Sequence, residues 1–133
     1  MNPAEKKLLY VDDDNDDREL LCEAMHHVAP DLKVIFAING LQALEVLQQH
    51  KEANSLPGLI VLDLNMPYLN GKQTFECIKA DPQLKSIPLV IFSSGENPSD
   101  KSLFSREGIA WFTKPVEFSA MEGIASYMAN LCG

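Results

Sequence analysis

Apolar residues recur along this chain in two spacings, and the spacings alternate. Short unbroken runs are the first kind: Leu8-Leu9-Tyr10-Val11, Val34-Ile35-Phe36-Ala37, Leu59-Ile60-Val61-Leu62, Leu89-Val90-Ile91-Phe92 and Ala110-Trp111-Phe112-Thr113. A run that is apolar throughout, bounded by turn residues such as Gly58, predicts a strand buried on both faces. Between the runs, apolar positions fall three and four apart, the spacing of one helical face. Leu20, Leu21, Ala24, Met25 and Val28 form such a face before Pro30 stops the first helix. Leu41, Leu44 and Leu47 mark a second helix, and Phe75 and Ile78 a third over Gly71–Ala80. Leu103 and Phe104 mark a fourth, and Phe118, Met121, Ile124, Ala125, Met128 and Leu131 a fifth over about 117–130.

Boundary residues agree with this division. Asp14 or Asn15 is expected to cap the first helix, with Asp16 and Asp17 at the positive end of its dipole. Asn39-Gly40 opens the second helix, and Asp81-Pro82 closes the third. Residues 52–58 read as a polar loop and 84–87 as a linker, with Pro88 tolerable because it stands at a strand start. Asn97-Pro98 starts the fourth helix and Gly108 ends it. That helix has the thinnest apolar face, so it is expected to be short and loosely held. The second strand, 32–37, alternates imperfectly and is expected at a sheet edge. Strand–helix pairs in strict alternation imply an α/β fold, a parallel sheet covered by helices on both faces through right-handed crossovers.

Composition narrows the picture. A length of 133 residues with 46% apolar content suits one domain with its own core. The net charge of −8 argues against nucleic acid or an anionic membrane as partner, and it suits a chain that gathers carboxylates around a cation. Cys22, Cys77 and Cys132 show no metal-ligand spacing; Cys22 and Cys77 are expected as small buried residues within helices and Cys132 as exposed. The opening residues do not read as a leader, and no apolar run approaches the ~20 residues of a membrane span. A reducing, cytoplasmic location is the expectation.

The chemistry lies where the apolar runs end. The first run ends in Asp12-Asp13, the central one in Asp63, the fourth in Ser93-Ser94 and the fifth in Lys114-Pro115. In an open parallel sheet, ligands bind at the carboxyl ends of the strands. Asp12, Asp13 and Asp63 brought together there would repel one another unless a positive charge joined them. A hard divalent cation such as Mg²⁺ takes such oxygen ligands. Lys114 adds a mobile charge suited to phosphate oxygens, and Ser93 adds a hydroxyl. The set describes a phosphoryl-transfer site in which a carboxylate can itself be the nucleophile. On the residues alone this leaves a Mg²⁺-dependent phospho-acceptor or a phosphatase.

Taken together, Val11-Asp12-Asp13, Asn39-Gly40 with Ala43-Leu44, Leu62-Asp63-Leu64-Asn65-Met66-Pro67 with Gly71, Ile91-Phe92-Ser93-Ser94 and Lys114-Pro115 resemble the CheY-like receiver domain of bacterial two-component response regulators. The resemblance spans the chain in order. It implies a flavodoxin-like, doubly wound sheet of five parallel strands in the order 2-1-3-4-5 with five helices. It implies one receiver domain over 1–133 with no output domain. It implies Asp63 as phosphoryl acceptor, Asp13 as a direct Mg²⁺ ligand, Asp12 as a helper through water, and the backbone carbonyl of Asn65 as a further ligand. Ser93 would hydrogen-bond the phosphoryl group and shift toward it, Lys114 would pair with it, and the Lys114-Pro115 bond would be cis. Trp111 stands at the aromatic switch position, where Tyr or Phe is commoner. Ser93 stands where Thr is more frequent, and Gly95-Glu96-Asn97-Pro98 replaces a small Ala-rich turn.

The implied partners are a sensor histidine kinase or a histidine phosphotransfer protein, and a downstream protein that reads the face formed by the fourth helix, fifth strand and fifth helix. A homodimer through that face would use Leu103, Phe104, Phe118 and Met121. Such a protein accepts a phosphoryl group through its own catalysis and is not a turnover enzyme. The 66–88 segment also resembles the stand-alone receivers that accompany phytochrome-type kinases. A phosphatase of the haloacid-dehalogenase type would carry a second Asp where Asn65 stands. The other alternative is a receiver-fold binding module that is never phosphorylated.

Overall fold

The computed structural model describes residues 6–66, 68–95 and 97–132. Pro67, expected in the turn after the central strand, and Glu96, expected in the turn before the fourth helix, lie outside the described residues. The elements are β1 (Lys7–Val11), α1 (Asn15–Val28), β2 (Lys33–Ala37), α2 (Gly40–Glu52), β3 (Leu59–Leu62), α3 (Gly71–Ala80), β4 (Leu89–Ser93), α4 (Pro98–Arg106), β5 (Ala110–Thr113) and α5 (Phe118–Leu131). All five strands are parallel, in the order β2-β1-β3-β4-β5, with β2 at one edge as its mixed pattern suggested. The linker before β4 is a single 3-10 turn, Leu84–Ser86, because Leu84 is buried and pins it to the core.

Alternation along the strands divides the core in two. Leu8, Tyr10, Val61, Val90 and Phe92 face α1 and α5, where they meet Leu21, Ala24, Met25, Met121, Ala125 and Met128. Leu9, Val11, Ile60, Leu62 and Ile91 face the other way, toward Ala43 and Leu47 of α2, Phe75 and Ile78 of α3, and Phe104 of α4. Each central strand residue is therefore buried whichever way it points, which is why these runs are apolar throughout.

The helix caps follow local chemistry. The Asp14 side chain accepts from the N–H groups of Asp16 and Asp17, Asn39 from Gln42, and Asn70 forms a capping box with Gln73. Asn97 caps α4 with Pro98 in its first turn, and Gly108, at φ +74°, ends it in the left-handed region.

Several expected faces are corrected. Leu20 and Leu41 are 40% and 53% exposed, and Leu131 is also at the surface. Leu20 and Leu131 sit at the margins of their stripes, and Leu41 is in the first turn of α2, where Ala43 supplies the buried contact instead. Cys77 is exposed, because α3 turns Phe75 and Ile78 inward. Cys132 is half-buried, its Sγ 3.1 Å from the Lys7 carbonyl oxygen it donates to. Phe104 and Met121, expected on a dimer face, are buried in the two halves of the core, while Leu103 and Phe118 are partly buried.

Candidate functional site

The register of the sheet builds the site. Val11 pairs with Leu62, so Asp12 and Asp63 leave the sheet side by side. The Asp63 N–H donates to the Val11 carbonyl at 3.0 Å, and the Asp12 N–H to the Ala37 carbonyl at 3.0 Å. On the far side, the Lys114 N–H donates to the Ser93 carbonyl at 2.9 Å. Period-two alternation continues Tyr10 into Asp12, Val61 into Asp63 and Phe112 into Lys114, which puts all three charged side chains on the α1–α5 side of the edge. Ser93 falls in the other row, with Leu89 and Ile91, and is 1% exposed.

Carboxylate oxygens of Asp12, Asp13 and Asp63 all lie within 4.8 Å of one another. Asp12 is fully buried, Asp63 is 4% exposed and Asp13 faces solvent. Three hard oxygen donors at this spacing, one of them open to water, fit a divalent cation. Asp12 is the most heavily engaged of the three. Its Oδ2 accepts from the Tyr10 hydroxyl at 2.6 Å and from Lys114 Nζ at 2.7 Å, and its Oδ1 accepts from the Asp14 N–H at 2.9 Å. That leaves Asp13 and Asp63 better placed than Asp12 for direct ligation.

Lys114 Nζ also donates to Asp17 Oδ2 at 2.7 Å and stands 3.6 Å from Asp63 Oδ2. Burial works to lower the lysine's pKa, but its hydrogen bonds to Asp12 and Asp17 and the charge on Asp63 outweigh that and hold it above the usual lysine range. Asp63 is also held above the range of a free carboxyl. Burial, with the charge of Asp12 adding to it and Lys114 opposing, pushes it up to about 6. Tyr10 is held well above the usual phenol range by burial and then by the Asp12 charge, so it stays a donor.

The structure thus brings Asp12, Asp13, Asp63 and Lys114 together. Asn65 lies just past Asp63, and its N–H makes a long 3.4 Å contact to Asp63 Oδ1. Trp111 is not among the carboxylates. It sits two residues earlier than Thr113 on β5, half-buried, 6.2 Å from the Phe104 ring between centroids. The cis expectation at Lys114-Pro115 is corrected: no peptide bond among the described residues is cis, in keeping with the ~0.5–1 kcal/mol trans preference that X–Pro bonds retain.

Sequence reasoning missed three contributors. Tyr10 was read only as strand core, although its place two residues before Asp12 puts both on one face. The sequence places Asp17 at the helix dipole and among the acids that thicken the negative charge beside the site, but not against Lys114, at which the first turn of α1 aims it. Arg18, beside it, donates to the Asp12 carbonyl at 2.8 Å. Gly71 has a close-packing role: a Cβ there would lie 2.4 Å from the Asp63 carbonyl oxygen and 2.6 Å from Leu64 Cα. Only glycine lets α3 start this close to the segment that carries Asp63. Among the described residues no helix is long and apolar enough to cross a membrane.

Comparison with known proteins agrees with this geometry. Residues 8–125 match the response regulator receiver domain family. The response regulator Rcp1 of Synechocystis sp. is 37% identical over 101 residues, which cover 74% of this chain and 68% of that one. A crystal structure of the phosphorylated cyanobacterial phytochrome response regulator RcpA superposes with a TM-score of 0.85 at 31% identity, covering 96% of this chain and 93% of that one. The Mn²⁺-bound form of Rcp1 gives 0.81 at 32% identity, covering 92% and 93%. With the strand order, the acidic edge and a family match across most of its length, the chain belongs to the response regulator receiver domains of two-component systems.

Proposed function

We propose that this receiver takes a phosphoryl group from a phosphohistidine onto Asp63, using its own side chains and Mg²⁺. The observation that carries the reading is a buried central-strand carboxylate with two more carboxylates within 4.8 Å and an ammonium 3.6 Å away. An Asp63 oxygen attacks phosphorus while the P–N bond breaks. Its electron pair leaves with the imidazole, and Asp63 becomes an acyl phosphate. With its pKa pushed up to about 6, Asp63 is mostly ionised at neutral pH and competent as nucleophile. Asp13 and Asp63 would hold Mg²⁺ directly, with Asp12 through water and the Asn65 backbone carbonyl as a further ligand. Bound there, the ion neutralises charge on the transferring group. The Mn²⁺-bound form of Rcp1 and the phosphorylated form of RcpA, both similar chains, support this assignment.

Lys114 then moves toward the new phosphoryl oxygens, and Ser93 turns its hydroxyl to them. β5 carries Trp111 against Phe104 of α4, so the shift reaches the α4–β5–α5 face. We read the output of this receiver as protein–protein contact through that face. A homodimer there would rest on Leu103, Phe118 and the exposed Tyr127. The phosphodonor is a sensor histidine kinase or a histidine phosphotransfer protein; the likeness to Rcp1 and RcpA favours a phytochrome-type kinase.

The test is intact mass after acetyl phosphate, with and without Mg²⁺, beside Asp63→Asn. The expected result is a gain of about 80 Da that needs both the metal and Asp63. No gain from acetyl phosphate or from a phosphorylated kinase would favour the unphosphorylated binding module.

A further inference from the structure

Lys114 has more partners than phosphoryl transfer requires. An ammonium has three protons to donate. Two are committed, at 2.7 Å to Asp12 Oδ2 and at 2.7 Å to Asp17 Oδ2. The nearest Asp63 oxygen is 3.6 Å away, outside hydrogen-bonding distance. The lysine side chain is 10% exposed, so these bonds face little competition from water. The two anchors differ in kind. Asp12 leaves a central strand, is fully buried, and belongs to the carboxylate triad. Asp17 comes from the first turn of α1, stands outside that triad, and is 30% exposed. Arg18, the neighbouring cation, is bonded to the Asp12 carbonyl at 2.8 Å and to Asn15 at 3.1 Å.

A cation arriving at the triad draws on Asp12 and loosens one of the two anchors. Asp17 remains. It therefore opposes the movement of Lys114 toward Asp63, and its charge also adds to the negative field of the edge. We propose that Asp17 is a positioning residue that restrains Lys114, weakening the hold of the site on a phosphoryl group while strengthening its hold on the cation. The two effects carry opposite signs because one ligand is an anion and the other a cation. The proposal rests on Asp63 as the acceptor.

Asp17→Asn separates these effects, since it keeps the shape and one accepting oxygen but removes the charge. The probe for the phosphoryl group is beryllium fluoride at saturating Mg²⁺, read by fluorine NMR; the probe for the cation is Mn²⁺ alone, read by electron paramagnetic resonance. Asp17→Asn is expected to bind beryllium fluoride about threefold to tenfold more tightly and Mn²⁺ about threefold more weakly. Asp17→Glu should return both toward the wild-type values. In a Lys114→Met background, the gain in beryllium fluoride affinity should vanish. Unchanged affinities, shifts of the same sign, or a gain that persists without Lys114 would overturn the role of Asp17 and leave Asp63 standing as acceptor. A wild-type protein that takes no beryllium fluoride, or an Asp63→Asn variant that takes it equally well, would overturn the acceptor reading and the proposal with it.

Discussion

The two flanks of the sheet are packed very differently. On one, α1 and α5 lie against each other over β1 and β3, with Leu21, Ala24, Met25, Met121, Ala125 and Met128 all buried. At the β5 edge, by contrast, α4 buries Phe104 alone, all four residues of β5 are only partly buried, and the indole N–H of Trp111 is buried without a hydrogen-bond partner among the described residues. The tight flank carries Tyr10, Asp12 and Asp17. The loose flank carries Lys114 at the end of β5, its side chain reaching over to Asp12 and Asp17 on the α1–α5 side, while Ser93 ends the fully buried β4 beside it. In the function proposed above, the groups that would hold the cation are thus mounted on the part with most buried contact, and the lysine that would follow a phosphoryl group on the part with least. Local opening is cheapest where apolar burial is thin, so the loose flank is the natural moving part.

The strongest test of that division is a pair of core truncations. Leu21→Ala, on the tight flank, should lower global stability by about 2–5 kcal/mol in urea unfolding. Phe104→Ala removes as large a group, but α4 has no other buried residue. It should release α4 locally, so that the α4 amides from Lys101 to Arg106 lose hydrogen-exchange protection while β1 and β3 keep theirs. Equal global losses, with α4 still protected, would mean that the flanks form one cooperative unit.

Asp63 lies between the flanks, and its charge is the next lever. Its folded pKa, pushed up to about 6, lies above the value of an unfolded carboxyl. The sign follows directly: stability from this group is fully present below about pH 4 and is lost as pH rises through about 6. Asp63→Asn should therefore stabilise the metal-free protein by up to about 3 kcal/mol near pH 8 and by little near pH 4. Thermal melts at the two pH values measure it, and a destabilised variant near pH 8 would contradict the crowding of Asp63 with Asp12. Added Mg²⁺ should narrow the difference by stabilising the wild type.

Tyr10→Phe probes the tight flank more gently. It takes one of two donors from a buried carboxylate oxygen, leaving Lys114 on the same atom. The expected loss is about 1–2 kcal/mol. Lys114 should then sit closer to Asp12, and beryllium fluoride affinity should fall. An unchanged affinity would show that Lys114 is fixed by Asp17 alone.

How much of this could be read from the chain depends on how local the cause is. The strands were legible because Leu59-Ile60-Val61-Leu62 and its neighbours are buried on both faces, and the edge acids because they follow such runs directly. The thin face of α4 was legible for the same reason, as an absence of apolar residues at helical spacing. Helix faces were less so. Spacing groups Leu20 with Leu21 and Leu41 with Leu44, but which of them reaches the core depends on the rotation of the helix against the sheet. That rotation also decides the role of Asp17, whose partner Lys114 is far away in sequence. The direction of Trp111 depends on the packing of Phe104, and the crowding at Gly71 depends on where α3 begins relative to Asp63.

The smallest effect tests how well the flanks are insulated from each other. Gly108, at φ +74°, joins α4 to the segment leading into β5, and a Cβ there would meet nothing within 4 Å. Gly108→Ala therefore costs only the backbone penalty of a left-handed alanine, about 1 kcal/mol. The loss should appear as fraying at the end of α4, because Phe104 still anchors the helix. In the proposed site the cation would be held by Asp12, Asp13 and Asp63, none of which lies in that turn, so Mn²⁺ affinity should be unchanged. A loss of cation affinity would mean that strain on the loose flank reaches the carboxylates through β5 and Lys114, and that the two flanks move together.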